Sequence, residues 1–314
     1  MTMDDATRRA FGLPLLESAL IEDEMSLAEQ GHTQRPACEL SEALRAARTM
    51  VSEAELYGCF PIERNSDTIQ KKLKEGKPLL DPGHIQIKNA VAESVFESLL
   101  RVFRGHLAEK TEDWERLEQG VRRGGIPVRE LLEATLQHRW DALQAWAGEF
   151  SIDLDALQFF SIYLARPFRQ QAARHLWDQT QTVSWQEGYC PVCGHSPVLG
   201  RLIGAPGHRQ LWCCCCNTSW SFPRIGCPFC KNQSQDQLGY LTVNEFASYR
   251  IYVCDRCRRY LKTIVCPEES GKGDWDYDRD YFSTVVLDPI ALREGYIAET
   301  VWLARCEQPG AACQ

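Results

Sequence analysis

Residues 190–257 read CPVCGHSPVLGRLIGAPGHRQLWCCCCNTSWSFPRIGCPFCKNQSQDQLGYLTVNEFASYRIYVCDRC. Four Cys-x-x-Cys pairs stand in this stretch: Cys190/Cys193, Cys213/Cys216, Cys227/Cys230 and Cys254/Cys257. Two residues between cysteines let both thiolates converge from one tight turn, with backbone N–H groups free to bond the sulfurs. Two such knuckles supply the four tetrahedral ligands that zinc or rubredoxin-type iron requires, at about 2.3 Å for zinc. Nineteen residues separate the first two pairs and twenty-three the last two. These gaps suit ribbons with about 15–20 residues between pairs, the second being slightly long. Sequential pairing therefore predicts two ribbons joined by NTSWSFPRIG at 217–226. Interleaved pairing of the four knuckles is the other arrangement the spacing allows.

Two other chemistries fit less well. Thioredoxin-like redox pairs belong in a βαβ context, which is missing here. A [4Fe–4S] cluster draws on a tighter run of cysteines plus one distant ligand. In the CCCC run only Cys213 and Cys216 have the two-residue spacing, so Cys214 and Cys215 are expected to flank the knuckle without ligating. A reactive thiol beside the metal is the minority reading for one of them. His195 and His208 lie near the first pair of knuckles, but eight cysteines already fill two sites, and both are expected to be surface residues. Arg256, Arg258 and Arg259 surround the last knuckle, where cations would offset the −2 formal charge of a divalent tetrathiolate. Ordinary exposed arginines explain that spacing equally well.

The chain around this stretch is ordinary in composition: 314 residues, 44% hydrophobic, 10% aromatic and 25% charged. That balance excludes a disordered chain. Of 15 cysteines, only Cys38 and Cys59 precede Cys190, while Cys266, Cys306 and Cys313 follow Cys257. Such clustering argues for metal thiolates in a reducing compartment over a disulfide scaffold. The opening MTMDDATRRA carries Asp4 and Asp5 where a signal peptide is basic, no membrane span is visible, and the chain is expected to be cytoplasmic. A net charge of −8 and a pI near 5.5 disfavour wholesale nucleic-acid binding. Residues 184–266 are nonetheless basic, with nine Lys/Arg against four acids. A patch of that kind suits an acidic protein surface or a phosphate, or is simply a solvated face.

Residues 1–183 read as helical. Val91, Val95, Leu99, Val102, Phe103 and Leu107 follow helical spacing from Ile87, and Leu132, Leu136, Trp140, Leu143 and Ala147 repeat it after a break at Gly124, Gly125 and Pro127. Asp153 is the expected N-cap of a helix through Leu164, which Pro167 either kinks or separates from the next. SEALRAARTMVSEAELYG at 41–58 is helical in composition, and 61–84 reads as connection. Beyond Trp185 the best strands are 198–203, 208–212, 248–253 and 260–265. The acidic run EESGKGDWDYDRD at 268–280 reads as an unpacked loop, TVVLDPIALREGYI at 284–297 as a final helix, and CEQPGAACQ as a loose tail.

The fold class expected is therefore multi-domain α plus small β: an all-α domain over 1–183, rubredoxin-like ribbons over 184–225 and 226–270, and an acidic loop, short helix and tail over 271–314. The order GYCPVCGHSPVLGRL, HRQLWCCCCNTSWSFPRIGCPFC, YVCDRCRRYLKTI and DYFSTVVLDPIALREGYI resembles the formate dehydrogenase accessory protein family (FdhE). The CCCC run departs from that family's pattern. The resemblance implies a cytoplasmic, non-catalytic protein that binds the catalytic subunit of a molybdenum-type formate dehydrogenase and is needed for its activity. It also implies two rubredoxin-like sites, iron or zinc, on Cys190, Cys193, Cys213, Cys216, Cys227, Cys230, Cys254 and Cys257, with no catalytic residues. A zinc-ribbon nucleic-acid-binding protein is the alternative, with Tyr249, Tyr252 and Tyr260 as candidate stacking residues. A rubredoxin-type electron carrier is another, for which the helical half is excess.

Overall fold

The computed structural model describes residues 39–45, 65–81, 87–177, 185–204, 207–243, 246–266 and 275–299. The opening decapeptide, all of 46–64, the start of the acidic run and the C-terminal tail lie outside the described residues. Contacts divide the chain into two compact units, one of 14–62 with 81–174, the other of 1–13, 63–80 and 175–314. Among the described residues no helix is long and apolar enough to cross a membrane.

The first unit is helical. It holds α1, described over 39–45, and α3 (Asn89–His106), α4 (Thr111–Arg122), α5 (Val128–Leu136), α6 (Trp140–Phe150) and most of α7 (Leu154–Trp177). The expected stripe of α3 is the buried one: Val91, Val95, Phe96, Leu99 and Phe103 all face the core. Phe103 meets Trp114 and Phe160 edge-on at 5.1 and 5.2 Å between ring centres, an arrangement the aromatic quadrupoles favour. Trp114 keeps its indole N–H satisfied on the Leu107 carbonyl at 3.1 Å. Asp153 caps α7 as expected, its Oδ1 accepting the Ala156 N–H at 2.9 Å. Pro167 sits inside α7 without ending it. The stripe from Leu132 to Ala147 is two helices instead of one. His138 adopts φ 58°, and the N–H groups of His138 and Arg139 return to Thr135 and Ala134, a left-handed C-terminal stop.

Among the described residues, the second unit is built on one seven-stranded sheet. Its strands are β1 (Leu199–Ile203), β2 (His208–Trp212), β3 (Ser219–Phe222), β4 (Leu238–Leu241), β5 (Tyr249–Cys254), β6 (Arg259–Cys266) and β7 (Ile297–Ala298). The order is β3-β2-β1-β6-β5-β4, with β7 beside β6. Each ribbon supplies one half, β1–β3 and β4–β6, and the parallel ladder of β1 on β6 joins them, pairing Leu199 with Lys262 through Ile203 with Cys266.

Three segments behave differently from the sequence expectation. Residues 66–74, expected as connection, form α2 (Ser66–Lys74), capped by Asn65 Oδ1 accepting the Asp67 N–H at 2.9 Å. The chain after α2 then docks on the first knuckle: the Leu79 and Leu80 N–H groups donate to Pro191 and Val192 carbonyls at 2.9 and 2.8 Å. Tyr189 adds an O–H bond to the Gly76 carbonyl at 2.6 Å. The end of the acidic run packs instead of floating. Trp275 lies under the Arg201 guanidinium at 4.0 Å, Tyr277 stacks on Trp212, and Tyr277 opens α8 (Tyr277–Ser283). The final helix is broken into a 3-10 turn and α9 (Asp288–Arg293), with Pro289 in its first turn where a missing N–H costs nothing. Gly295 at φ 79° then turns the chain into β7.

Candidate metal centres

Each of the four knuckles closes in the same way. The residue after the second cysteine has a positive φ: Gly194 at 78°, Asn217 at 60°, Lys231 at 58° and Arg258 at 55°. Its N–H returns to the carbonyl of the first cysteine, at 3.0, 2.9, 2.9 and 2.8 Å respectively. Glycine and asparagine enter this left-handed region at little cost, whereas lysine and arginine must be held there. The turn aims both cysteines of a pair the same way and exposes amides to sulfur. In the second site Cys227 receives the Cys230 and Phe229 N–H groups, Cys230 that of Asn232, and Cys257 that of Arg259.

The knuckles pair sequentially. Cys190, Cys193, Cys213 and Cys216 form one cluster and Cys227, Cys230, Cys254 and Cys257 the other, with all sulfurs of a cluster within 4.8 Å of one another. In the first, Sγ–Sγ distances are 3.4 Å for Cys190–Cys216 and 3.5 Å for both Cys193–Cys213 and Cys193–Cys216. In the second they are 3.6 Å for Cys227–Cys257 and 3.7 Å for Cys230–Cys254. A disulfide would bring sulfurs to about 2.0 Å. Four sulfurs about 2.3 Å from a central ion are about 3.8 Å apart in a tetrahedron. The spacing therefore fits one four-coordinate ion in each cluster.

Charge makes the same point. Burial above all pushes the Cys190 and Cys193 thiols well up. Burial opposes ionisation of Cys213 too, yet hydrogen bonds from Cys190, Cys193, Cys215 and Cys216 together bring it well below the usual thiol range. In the second cluster a hydrogen bond with Cys227 holds Cys257 at about 5, while burial raises Cys230 to about 11. Without an ion, Cys213 and Cys257 lose their protons most readily, while Cys190, Cys193, Cys227 and Cys230 hold theirs. A divalent cation replaces those protons and takes all four sulfurs as thiolates.

The two sites differ in access. All four cysteines of the first are buried, whereas Cys230 and Cys257 of the second are half-buried. They are also in contact. A Cβ on Gly188 would lie 1.9 Å from the Pro228 carbonyl oxygen, so the chain entering the first knuckle rests on the CPFC turn of the second. Lys231 reaches back to Glu187 at 2.6 Å, and the Trp220 indole donates to the Glu187 carbonyl at 3.2 Å.

The neighbours of the ligands correct several expectations. His195 is fully buried, not a surface residue: its Nδ1 is 3.3 Å from the Cys193 carbonyl and its own carbonyl accepts the Cys190 N–H at 2.8 Å. His208 is exposed at the start of β2, as expected. Cys214 and Cys215 are buried with their sulfurs 4.0 Å apart and stand outside the four-sulfur cluster. Arg258 and Arg259 of the last knuckle are engaged by groups other than the sulfurs. Arg258 binds Asp255 at 3.0 Å and the Glu294 carbonyl at 2.9 Å, Arg259 pairs with Glu299, and Arg256 is exposed. The groups that do approach are Thr218 Oγ1, 3.1 Å from Cys216 Sγ, and the Asn232 amide, 3.7 Å from Cys254 Sγ. Tyr249 and Tyr260, candidates for base stacking, are tied down by Asp280 and Asp288 at 2.7 Å each.

No family model matches the chain. A curated relative from Aquifex aeolicus (strain VF5), named Protein FdhE homolog, is 25% identical over 265 residues, 82% of this chain and 84% of the relative. The chain is thus similar to an FdhE homolog over most of its length. Other FdhE relatives align over shorter stretches: 35% identity over 111 residues with the Rhizobium meliloti (strain 1021) protein, 33% of this chain and 36% of that one. The Protein FdhE of Escherichia coli O1:K1 / APEC is 30% identical over 179 residues, 55% of this chain and 56% of its own. The crystal structure of the FdhE protein from Pseudomonas aeruginosa shares the fold, with a TM-score of 0.53 and 23% identity over 92% of this chain and 95% of that one.

Proposed function

We propose that this chain is a non-catalytic accessory protein that binds the catalytic subunit of a respiratory molybdenum or tungsten formate dehydrogenase and is required for its activity. Similarity to FdhE proteins over most of the chain supports the client, and the paired four-cysteine clusters support the metal chemistry. On this reading Cys190, Cys193, Cys213 and Cys216 hold one ion and Cys227, Cys230, Cys254 and Cys257 a second, each zinc or rubredoxin-type iron; both metals accept four thiolates. The first, wholly buried cluster suits a staple: short strands with small cores need metal binding for their folding free energy. The second, with two sulfurs half-buried, leaves its ion open to exchange or electron transfer at the surface.

The test is complementation in cells that make the enzyme. Removing the gene should abolish formate dehydrogenase activity without removing the catalytic polypeptide. The intact chain should restore activity and co-purify with that subunit, while Cys190→Ser/Cys193→Ser and Cys227→Ser/Cys230→Ser should not restore it. Full activity without the gene, together with no co-purification, would overturn the reading.

A further inference from the structure

Thr218 and Asn232 hold the same place in two different knuckles. Each stands two residues past the second cysteine of its turn, Cys216 and Cys230. The Thr218 carbonyl accepts the Cys213 N–H at 3.0 Å and the Asn232 carbonyl the Cys227 N–H at 2.8 Å, which fixes both residues against the first cysteine of the turn. His195 holds that place in the first knuckle, its carbonyl accepting the Cys190 N–H at 2.8 Å, but its Nδ1 lies beside the Cys193 carbonyl and not a sulfur. Thr218 and Asn232 are the two whose side chains reach a ligand.

Both side chains are polar and buried, 4% and 5% exposed. Thr218 Oγ1 is 3.1 Å from Cys216 Sγ. A Cys216 thiol donates across that gap. As a metal ligand Cys216 is a thiolate with no proton to give, and the hydroxyl, a donor as well as an acceptor, donates in its place. The Asn232 amide is held the right way round for the same task. Its Oδ1 accepts the Ser234 N–H at 3.2 Å, so Nδ2 turns its hydrogens to Gln237 Oε1 at 3.1 Å and Cys254 Sγ at 3.7 Å. The first cluster thus has a buried hydroxyl on one sulfur, and the second a buried amide on another. A hydrogen bond to an ionised sulfur, shielded from water, is of the stronger, charge-assisted kind.

Resting on the reading that each cluster holds an ion, we propose that Thr218 and Asn232 are positioning residues that act through Cys216 and Cys254 to set how tightly the first and second clusters hold their metals. Four thiolates bring more negative charge than one cation neutralises, and each donor takes up part of the excess. Where the metal is iron, the same two residues set its potential, since a hydrogen bond to sulfur favours the more negative, ferrous state.

The test is competition with a chelator of known affinity on the full-length, metal-loaded chain, which reads the affinity for each ion. Thr218→Val keeps the shape without the hydroxyl and should weaken one ion by about 10–100-fold while leaving the other alone. Thr218→Ser keeps the hydroxyl without the methyl and should hold both ions as the parent does; a packing role predicts the opposite order. Asn232→Asp keeps the acceptor for Ser234 but loses the N–H donors, and should weaken the other ion by at least about tenfold. It decides the matter if Thr218→Val does not fold. The double variant should weaken both ions. In the iron-loaded chain, a tenfold loss confined to the ferrous state lowers one of the two potentials by about 59 mV in Thr218→Val. A Thr218→Val chain that holds both ions as tightly as the parent, or a Thr218→Ser chain as weak as Thr218→Val, would overturn the proposal. So would an Asn232→Asp chain with both affinities unmoved. A parent that takes up no metal overturns the two-metal reading and this proposal together, whereas unmoved variants of a two-metal parent overturn the proposal alone.

Discussion

Replacing Gly188 with alanine tests whether the two knuckles are built as one body. The added Cβ would stand 1.9 Å from Pro228 O, 2.6 Å from its carbonyl carbon and 2.7 Å from its Cα. These are backbone atoms, so no rotamer change relieves the overlap, and the knuckles must part by roughly 1 Å. Overpacking of this kind costs about 1–3 kcal/mol. The same displacement strains the Trp220 bond to the Glu187 carbonyl, worth about 1 kcal/mol. The Lys231–Glu187 pair adds little because Lys231 is mostly exposed. The expected loss is about 2–4 kcal/mol, a fall of roughly 5–15 °C in the unfolding midpoint of the metal-loaded protein. Gly148→Ala is the control: its Cβ meets nothing within 4 Å and lies within α6, so it should be neutral or slightly stabilising. Differential scanning calorimetry on the three proteins, with metal content measured for each, makes the comparison. A Gly188→Ala protein as stable as the parent, with both metals retained, would refute the contact between knuckles.

The unequal burial of the clusters predicts biphasic metal loss to a competing chelator, followed by absorbance. One equivalent should leave at least about tenfold faster than the other. Cys230→Ser/Cys257→Ser should abolish the fast phase; a single phase in the parent would contradict the asymmetry. Lys262 and Asp288 are 2.8 Å apart with side chains 4% and 3% exposed, so Lys262→Met should cost about 3–5 kcal/mol in denaturant unfolding. Adding Asp288→Leu should recover most of that, and failure to do so would show the pair is not what Lys262 supports. Gly194→Ala places a Cβ at φ 78° and should lower stability by about 1–2 kcal/mol, measured by the same unfolding.

The ligands were legible because a knuckle is a local object: two cysteines, a two-residue gap and a turn. The strands at 198–203, 208–212, 248–253 and 260–265 were legible for the same reason, as β-rich runs beside knuckles. Ser219–Phe222 and Leu238–Leu241 were not, since four residues with serine or glycine become strands only through their partners β2 and β5. The parallel seam of β1 on β6 joins residues some sixty apart, and no local pattern encodes it. Gly194 and Asn217 advertise a left-handed turn, but Lys231 and Arg258 conceal theirs. His195 reads as a surface residue because its burial comes from closing the first knuckle, where its carbonyl takes the Cys190 N–H; residues 79–80 read as linker because their partners, Pro191 and Val192, lie over a hundred residues away.

X-ray absorption at the bound metal, with metal quantified per chain, tests the central claim most directly. The account predicts two ions per chain, each with four sulfur ligands at about 2.3 Å, and the loss of one ion from either the Cys190→Ser/Cys193→Ser or the Cys227→Ser/Cys230→Ser protein. A single ion per chain, nitrogen or oxygen in the coordination shell, or an unchanged metal count in either double variant would contradict it.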